Sequence, residues 1–136
     1  MGFDDNSRVP ESYVLVVDDE ASVREFLRRS LEGWGYTVKQ ASSATDALEV
    51  MLAEPASIMF CDIKMPGHDG LWLAKRVREK WPQTPIIMAT ALDNLDIVMK
   101  SQRLGAIDYL TKPFGRELLR QALSRAEAML KANRPQ

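Results

Sequence analysis

The chain has 136 residues, 46% of them hydrophobic and 27% charged, the make-up of an ordinary single-domain globular protein with a core of useful size. A formal net charge of -1 leaves no footprint for nucleic acid, no stretch approaches the apolar length of a membrane span, and Met1-Gly2-Phe3-Asp4-Asp5 lacks the basic and apolar regions of a signal peptide. Cys61, the only cysteine, cannot form an internal disulfide and reads as a small core residue, so the expected compartment is the cytoplasm.

After a polar leader, residues 1 to 12, the run Val14-Leu15-Val16-Val17 has the length and β-branched character of a buried strand and leads straight into Asp18-Asp19. The helix that follows carries Val23, Phe26, Leu27 and Leu31 on one face, with Gly33 near its stop. Residues 34 to 41 read as the second strand. Ser43 caps a second helix bearing Ala47, Leu48, Met51 and Leu52, which Glu54-Pro55 ends. Ile58-Met59-Phe60-Cys61 leads into Asp62 and then, through a Met65-Pro66-Gly67 turn, into a helix with Leu71, Ala74 and Val77 that closes at Trp81-Pro82. Ile86-Ile87-Met88-Ala89 runs into Thr90, and a weakly patterned helix over about residues 93 to 104 follows. The last strand, Ile107-Asp108-Tyr109-Leu110-Thr111, ends at Lys112-Pro113. A final helix over about residues 116 to 131 carries Leu118, Leu119, Ala122, Leu123, Ala126 and Leu130, the clearest amphipathic stripe in the chain. Five such units joined by right-handed crossovers give an α/β fold, a doubly wound five-stranded parallel sheet with helices on both faces.

In that fold the polar groups after the apolar runs collect along one carboxyl edge, where open α/β sheets place their chemistry. Carboxylates roughly 5 Å apart at an effective dielectric near 20 repel by about 3 kcal/mol per pair, so Asp18, Asp19 and Asp62 together need a counter-cation. Lys112 offsets only one charge. With all-oxygen ligands and no second His or Cys, the site suits a hard divalent cation that keeps some waters, Mg²⁺ or Mn²⁺. A metal beside a lysine and the Thr90 hydroxyl matches phosphoryl transfer, with Asp62 as the nucleophile that forms an acyl phosphate.

Four stretches then carry a family resemblance. They are Val14-Leu15-Val16-Val17-Asp18-Asp19-Glu20, Asp62-Ile63-Lys64-Met65-Pro66-Gly67-His68-Asp69-Gly70, Thr90-Ala91, and Gly105-Ala106-Ile107-Asp108-Tyr109-Leu110-Thr111-Lys112-Pro113-Phe114. In order, spacing and strand context, over about residues 12 to 130, the chain resembles the receiver domain of two-component response regulators, with its flavodoxin-like (βα)5 fold. The resemblance implies that Asp62 accepts a phosphoryl group from a histidine on a sensor kinase or histidine phosphotransfer protein. It further implies Mg²⁺ held directly by Asp19 and Asp62, through water by Asp18, and by the backbone carbonyl of Lys64. Thr90 and Lys112 would bind the phosphoryl oxygens, Tyr109 would turn inward as Thr90 moves, and Lys112-Pro113 would be a cis peptide. Such a chain is a signalling phosphoacceptor that assists its own phosphorylation and dephosphorylation, not an enzyme acting on a separate substrate. Its domain would span residues 13 to 131, with 132 to 136 a tail or the start of a linker. The water that ends the phosphoryl state would pass Lys64 and Leu92, two residues beyond Asp62 and Thr90.

Each feature also has a plainer reading. Asp18-Asp19-Glu20 alone would suit the positive end of a helix, and Met65-Pro66-Gly67 is turn chemistry in any case. Tyr109 by itself reads as a core or edge aromatic, and His68, the only histidine, as a solvated turn residue with no catalytic part. A dehalogenase-type phosphatase resembles Asp-x-Asp, but Lys64 stands at the second position. A flavin carrier needs a Ser/Thr-rich loop after the first strand, where this chain has carboxylates that would repel the phosphate. A non-phosphorylated pseudo-receiver acting by contact alone is the remaining alternative, though such proteins usually lose an acidic residue, the Thr or the Lys, and none is lost here. Output is expected through the fourth helix, fifth strand and fifth helix, to a partner, an effector domain or a second copy. For the acid-base dimer of winged-helix relatives, Asp108 and Glu117 fit, but Val98 and Gln121 stand where basic partners belong.

Overall fold

The computed structural model describes residues 12 to 133; apart from Ser12, the polar leader lies outside that range, as do residues 134 to 136 of the tail. The strands are β1 (Val14–Val17), β2 (Val38–Ala41), β3 (Ile58–Cys61), β4 (Ile86–Thr90) and β5 (Ala106–Thr111). They alternate with α1 (Ala21–Gly33), α2 (Ala44–Ala53), α3 (Gly70–Lys80), α4 (Leu95–Arg103) and α5 (Arg116–Ala132). All strand pairs are parallel, in the order β2-β1-β3-β4-β5. The family of folds expected from the alternating runs is the one observed.

The three inner strands are buried along their whole length, because helices cover both faces. Side chains alternate between two cores. Leu15, Val17, Met59 and Met88 pack with Ala47, Met51, Leu73 and Val77 of α2 and α3. Val14, Val16, Phe60, Ile87 and Ala89 pack with Leu27, Leu31, Leu119 and Leu123 of α1 and α5. Each fully buried aliphatic side chain contributes about 1.5–3 kcal/mol relative to exposure, so a one-residue slip of any inner strand would exchange the two cores at large cost.

Several ends differ from expectation, each for a local reason. Residues 34 to 37 do not join the second strand. They close α1 instead: Gly35, with φ 97°, donates its N–H to Glu32 O at 3.0 Å, and the Tyr36 N–H donates to Leu31 O at 3.1 Å. This is the paired helix stop that favours glycine: α1 ends at Gly33, near the expected stop, and Gly35 takes the left-handed position just beyond it. Trp34 and Tyr36 then pack on the α1 and α5 side of the sheet. At α4 the Asn94 side chain accepts from Ile97 N–H at 2.9 Å and trims the expected start to Leu95. Leu52 and Leu118, expected on core stripes, are 61% and 48% exposed. Ser43 caps α2 as expected, accepting from Asp46 N–H at 3.1 Å. Among the described residues no helix is long and apolar enough to cross a membrane.

The ladder also runs one residue past three strands. Asp18 N–H donates to Ala41 O at 3.1 Å, Asp62 N–H to Val17 O at 2.9 Å, and Lys112 N–H to Thr90 O at 2.8 Å. The backbone under the polar edge is therefore as fixed as the sheet itself.

Candidate functional site

Asp18, Asp62 and Thr90 are 1%, 5% and 0% exposed, whereas Asp19 is open to solvent. One carboxylate oxygen from each of Asp18, Asp19 and Asp62 lies within 4.8 Å of the other two. Lys112, carried to them by the turn after β5, places Nζ 2.8 Å from Asp18 Oδ2, 3.2 Å from Asp62 Oδ2 and 3.2 Å from Glu20 Oε1. Asp18 Oδ1 accepts the Glu20 N–H at 2.9 Å. Asp62 Oδ1 is buried and has no hydrogen-bond partner among the described residues. The Lys112-Pro113 peptide is cis.

The charges here are unbalanced: Asp18, Glu20 and Asp62 share the one ammonium of Lys112, and Asp19 has no ion-pair partner among the described residues. Burial pushes the Asp18 carboxyl above its ordinary range, with Asp62 adding to it, while Lys112 and the Glu20 N–H pull the other way. At Lys112 burial opposes the charged form, but the contacts with Asp18 and Asp62 outweigh it and hold the ammonium above its usual value. Burial, then Asp62 and Asp18, raises the Cys61 thiol, which stays a neutral core group as the sequence suggested. An orphaned buried carboxylate oxygen within an all-oxygen acidic cluster fits a hard divalent cation, and these residues could hold one.

A cavity of about 590 Å³ opens over the cluster. Asp19 and Asp62 form its acidic part, Lys64 and Lys112 bring positive charge, Thr90 brings a hydroxyl, and Leu92 makes an apolar wall. The Lys64 side chain is exposed. Tyr109 is half-buried against the α2 and α3 side core, and its hydroxyl donates to the Leu92 carbonyl. Burial first, then Asp93 and Asp62, keeps that phenol's pKa raised. His68 lies outside the cavity, exposed and stacked on Trp72 at 3.7 Å between ring centroids. Asp108 is paired within the chain, accepting from Arg125 Nε on α5 at 2.6 Å.

Two supports of the site were not singled out from the sequence. Gly70 begins α3 directly over Asp62: a Cβ there would fall 2.1 Å from the Asp62 carbonyl oxygen, and its N–H donates to Ile63 O at 2.7 Å. The signal was a glycine placed just after the Met65-Pro66-Gly67 turn, where Gly67 takes φ 79°. The second is Arg24, one turn beyond Glu20 on α1, which donates from Nη1 to the Asp18 carbonyl at 2.7 Å.

Residues 14–124 match the family described as "Response regulator receiver domain". The DNA-binding transcriptional regulator NtrC of Escherichia coli (strain K12) is 40% identical over 101 residues, 74% of this chain and 22% of that protein. Response regulator MprA of Mycobacterium avium (strain 104) is 37% identical over 123 residues, 90% of this chain and 53% of that protein. The chain thus spans well under two thirds of either relative. Among solved structures, a response regulator receiver domain protein (CheY-like) from Methanospirillum hungatei JF-1 superposes with a TM-score of 0.84 at 27% identity, covering 90% of this chain and 98% of that one. Response regulator protein TrrA from Thermotoga maritima, in complex with Mg²⁺-BeF, gives a TM-score of 0.77 at 30% identity, covering 85% and 98%.

Proposed function

The chain belongs to the response regulator receiver domain family, and from that premise we propose that Asp62 is its phosphoacceptor, served by Mg²⁺, Thr90 and Lys112. The observation that carries the assignment is the Asp62 carboxylate on the cavity, with its buried Oδ1 unpartnered among the described residues and its Oδ2 engaged by the half-buried Lys112. A carboxylate oxygen of Asp62 attacks the phosphorus of a donor phosphohistidine; the oxygen–phosphorus bond forms as the phosphorus–nitrogen bond breaks, and the imidazole leaves with a proton from solvent. Asp18, Asp19, Asp62 and the carbonyl of Lys64 are the groups we assign to the metal. Mg²⁺ would supply neutralisation of the carboxylates and of charge on the phosphoryl oxygens.

The chain's own residues do the rest. Lys112 already bridges Asp18 and Asp62, so it is in place to share an arriving phosphoryl oxygen without a long excursion. Thr90 is buried, and among the described residues its hydroxyl accepts from the Leu92 N–H at 3.4 Å and has no acceptor of its own, so it can donate to a phosphoryl oxygen. Movement of Thr90 would reach Tyr109 through Leu92, whose N–H and carbonyl contact the two hydroxyls. We infer a readout on the face of α4, β5 and α5, where Leu95 and Met99 are 70% and 44% exposed, to a partner, an effector domain or a second copy. We also take residues 13 to 131 as the working unit, a sensor kinase or histidine phosphotransfer protein as the donor, and the cytoplasm as its place.

Acetyl phosphate with Mg²⁺ tests the core of this reading. The chain should gain the mass of one phosphoryl group, in a linkage that hydroxylamine cleaves, and should gain nothing in chelator. A modification stable to hydroxylamine would refute an acyl phosphate.

A further inference from the structure

The backbone of Asp18 is held at both of its polar atoms. Its N–H donates to Ala41 O on β2 at 3.1 Å, and its carbonyl accepts Arg24 Nη1 at 2.7 Å. The same guanidinium donates from Nε to Gln40 Oε1, also on β2, at 3.1 Å. Arg24 is thus a fork from α1 with one prong on the end of β1 and the other on β2. The carboxylate above is fixed separately, by the Glu20 N–H on Oδ1 and Lys112 on Oδ2. Asp19 is the next residue and is exposed, so its direction depends on where the Asp18 carbonyl points.

We propose that Arg24 is a positioning residue for the acidic cluster, its fork setting the backbone from which Asp18 and Asp19 project toward a bound cation. The inference rests on the reading of that cluster as a Mg²⁺ site. A charge-assisted bond to a part-buried carbonyl holds orientation well, and the planar guanidinium spans two acceptors where an ammonium cannot do so in fixed geometry. Groups that orient metal ligands commonly govern affinity as strongly as some ligands do.

The sign of the effect separates this role from simple charge. A cation beside three carboxylates repels Mg²⁺, so if Arg24 acted by charge alone, its removal would tighten binding and a lysine would change nothing. A positioning role predicts weaker binding in both cases.

The experiment is a calorimetric Mg²⁺ titration of the 136-residue chain unaltered and as Arg24→Ala, Arg24→Lys and Gln40→Ala. Thermal melts in chelator and phosphorylation rates from acetyl phosphate at saturating Mg²⁺ accompany it. The expected result is about tenfold weaker Mg²⁺ binding in both Arg24 variants and about threefold weaker in Gln40→Ala. Rates at saturating metal should stay within about twofold of the unaltered chain. If Arg24→Ala does not fold, Arg24→Lys and Gln40→Ala carry the same comparison. Unchanged or tighter binding in folded variants, with the unaltered chain binding Mg²⁺, overturns the role of Arg24 alone. No binding by the unaltered chain overturns the metal site itself, and the inference with it.

Discussion

The hydroxyl of Tyr109 donates to the backbone carbonyl of Leu92, two residues beyond Thr90, and so ties β5 to the segment that leaves the site for α4. Any displacement of Thr90 that carries the backbone after it must stretch or break that bond. Beryllofluoride, a phosphoryl mimic, should therefore change amide exchange across residues 90 to 112 and leave residues 43 to 54 near their unliganded rates. Changes concentrated in residues 43 to 54 would show that the site couples to α2, toward the far edge of the sheet from β5.

Leu92 also bears on how long the phosphoryl group survives. Its carbonyl is engaged by Tyr109, while its side chain packs at the edge of the α2 and α3 side core, lines the cavity and has no polar atom to orient a water. Leu92→Asn or Leu92→Glu should speed loss of the phosphoryl group by about tenfold, which needs only about 1.4 kcal/mol off the barrier. The check is decay of the phosphorylated mass at fixed Mg²⁺; equal or longer lifetimes would place control of water elsewhere.

Asp19 and Asp18 should respond oppositely to removal. Asp19 is exposed and without an ion-pair partner among the described residues, so Asp19→Ala relieves repulsion and loses little packing. In metal-free buffer it should melt no lower than the unaltered chain, while its Mg²⁺ affinity falls. Asp18→Ala instead strips a 2.8 Å contact from the partly buried Lys112 and should melt lower. A clear loss of stability in Asp19→Ala, measured in chelator, would contradict the picture of excess negative charge.

Gly70 gives a steric test. A Cβ 2.1 Å from Asp62 O and 2.8 Å from Ile63 Cα meets backbone on both sides, so Gly70→Ala must move α3 or the end of β3. A destabilisation of about 1–3 kcal/mol is expected, with slower phosphorylation because Asp62 itself shifts. Gly33→Ala is the control: it lies in α1, meets only the Arg116 guanidinium at 3.9 Å, and should be neutral or stabilising by up to about 1 kcal/mol. Denaturant melts of the pair decide it; equal stabilities would show that the helix start adjusts freely.

The carboxyl edge was legible because a parallel sheet makes a one-dimensional pattern spatial: a polar residue after a buried strand must land on that edge. Asp18, Asp62, Thr90 and Lys112 are brought together on that principle, each at the end of a strand-like run. What stayed hidden depends on contacts with no periodic signature. The stop of α1 uses hydrogen bonds through Trp34, Gly35 and Tyr36 in residues apolar enough to pass for a strand. The reach of Arg24 to Asp18 and Gln40 needs the strand order β2-β1, and the fit of Gly70 over Asp62 needs the path of the loop after β3. Leu118 sits on the α5 stripe by spacing, yet the stripe that meets the sheet is Leu119, Ala122, Leu123 and Ala126, one residue round the helix.

Intact mass after incubation with acetyl phosphate and Mg²⁺, run in parallel on the unaltered chain and on Asp62→Asn, tests the central claim most directly. Asn keeps the size and the 2.9 Å backbone bond to Val17 but cannot form an acyl phosphate. A single phosphoryl adduct on the unaltered chain and none on Asp62→Asn is the predicted result. Equal adducts on both proteins would contradict the assignment of Asp62.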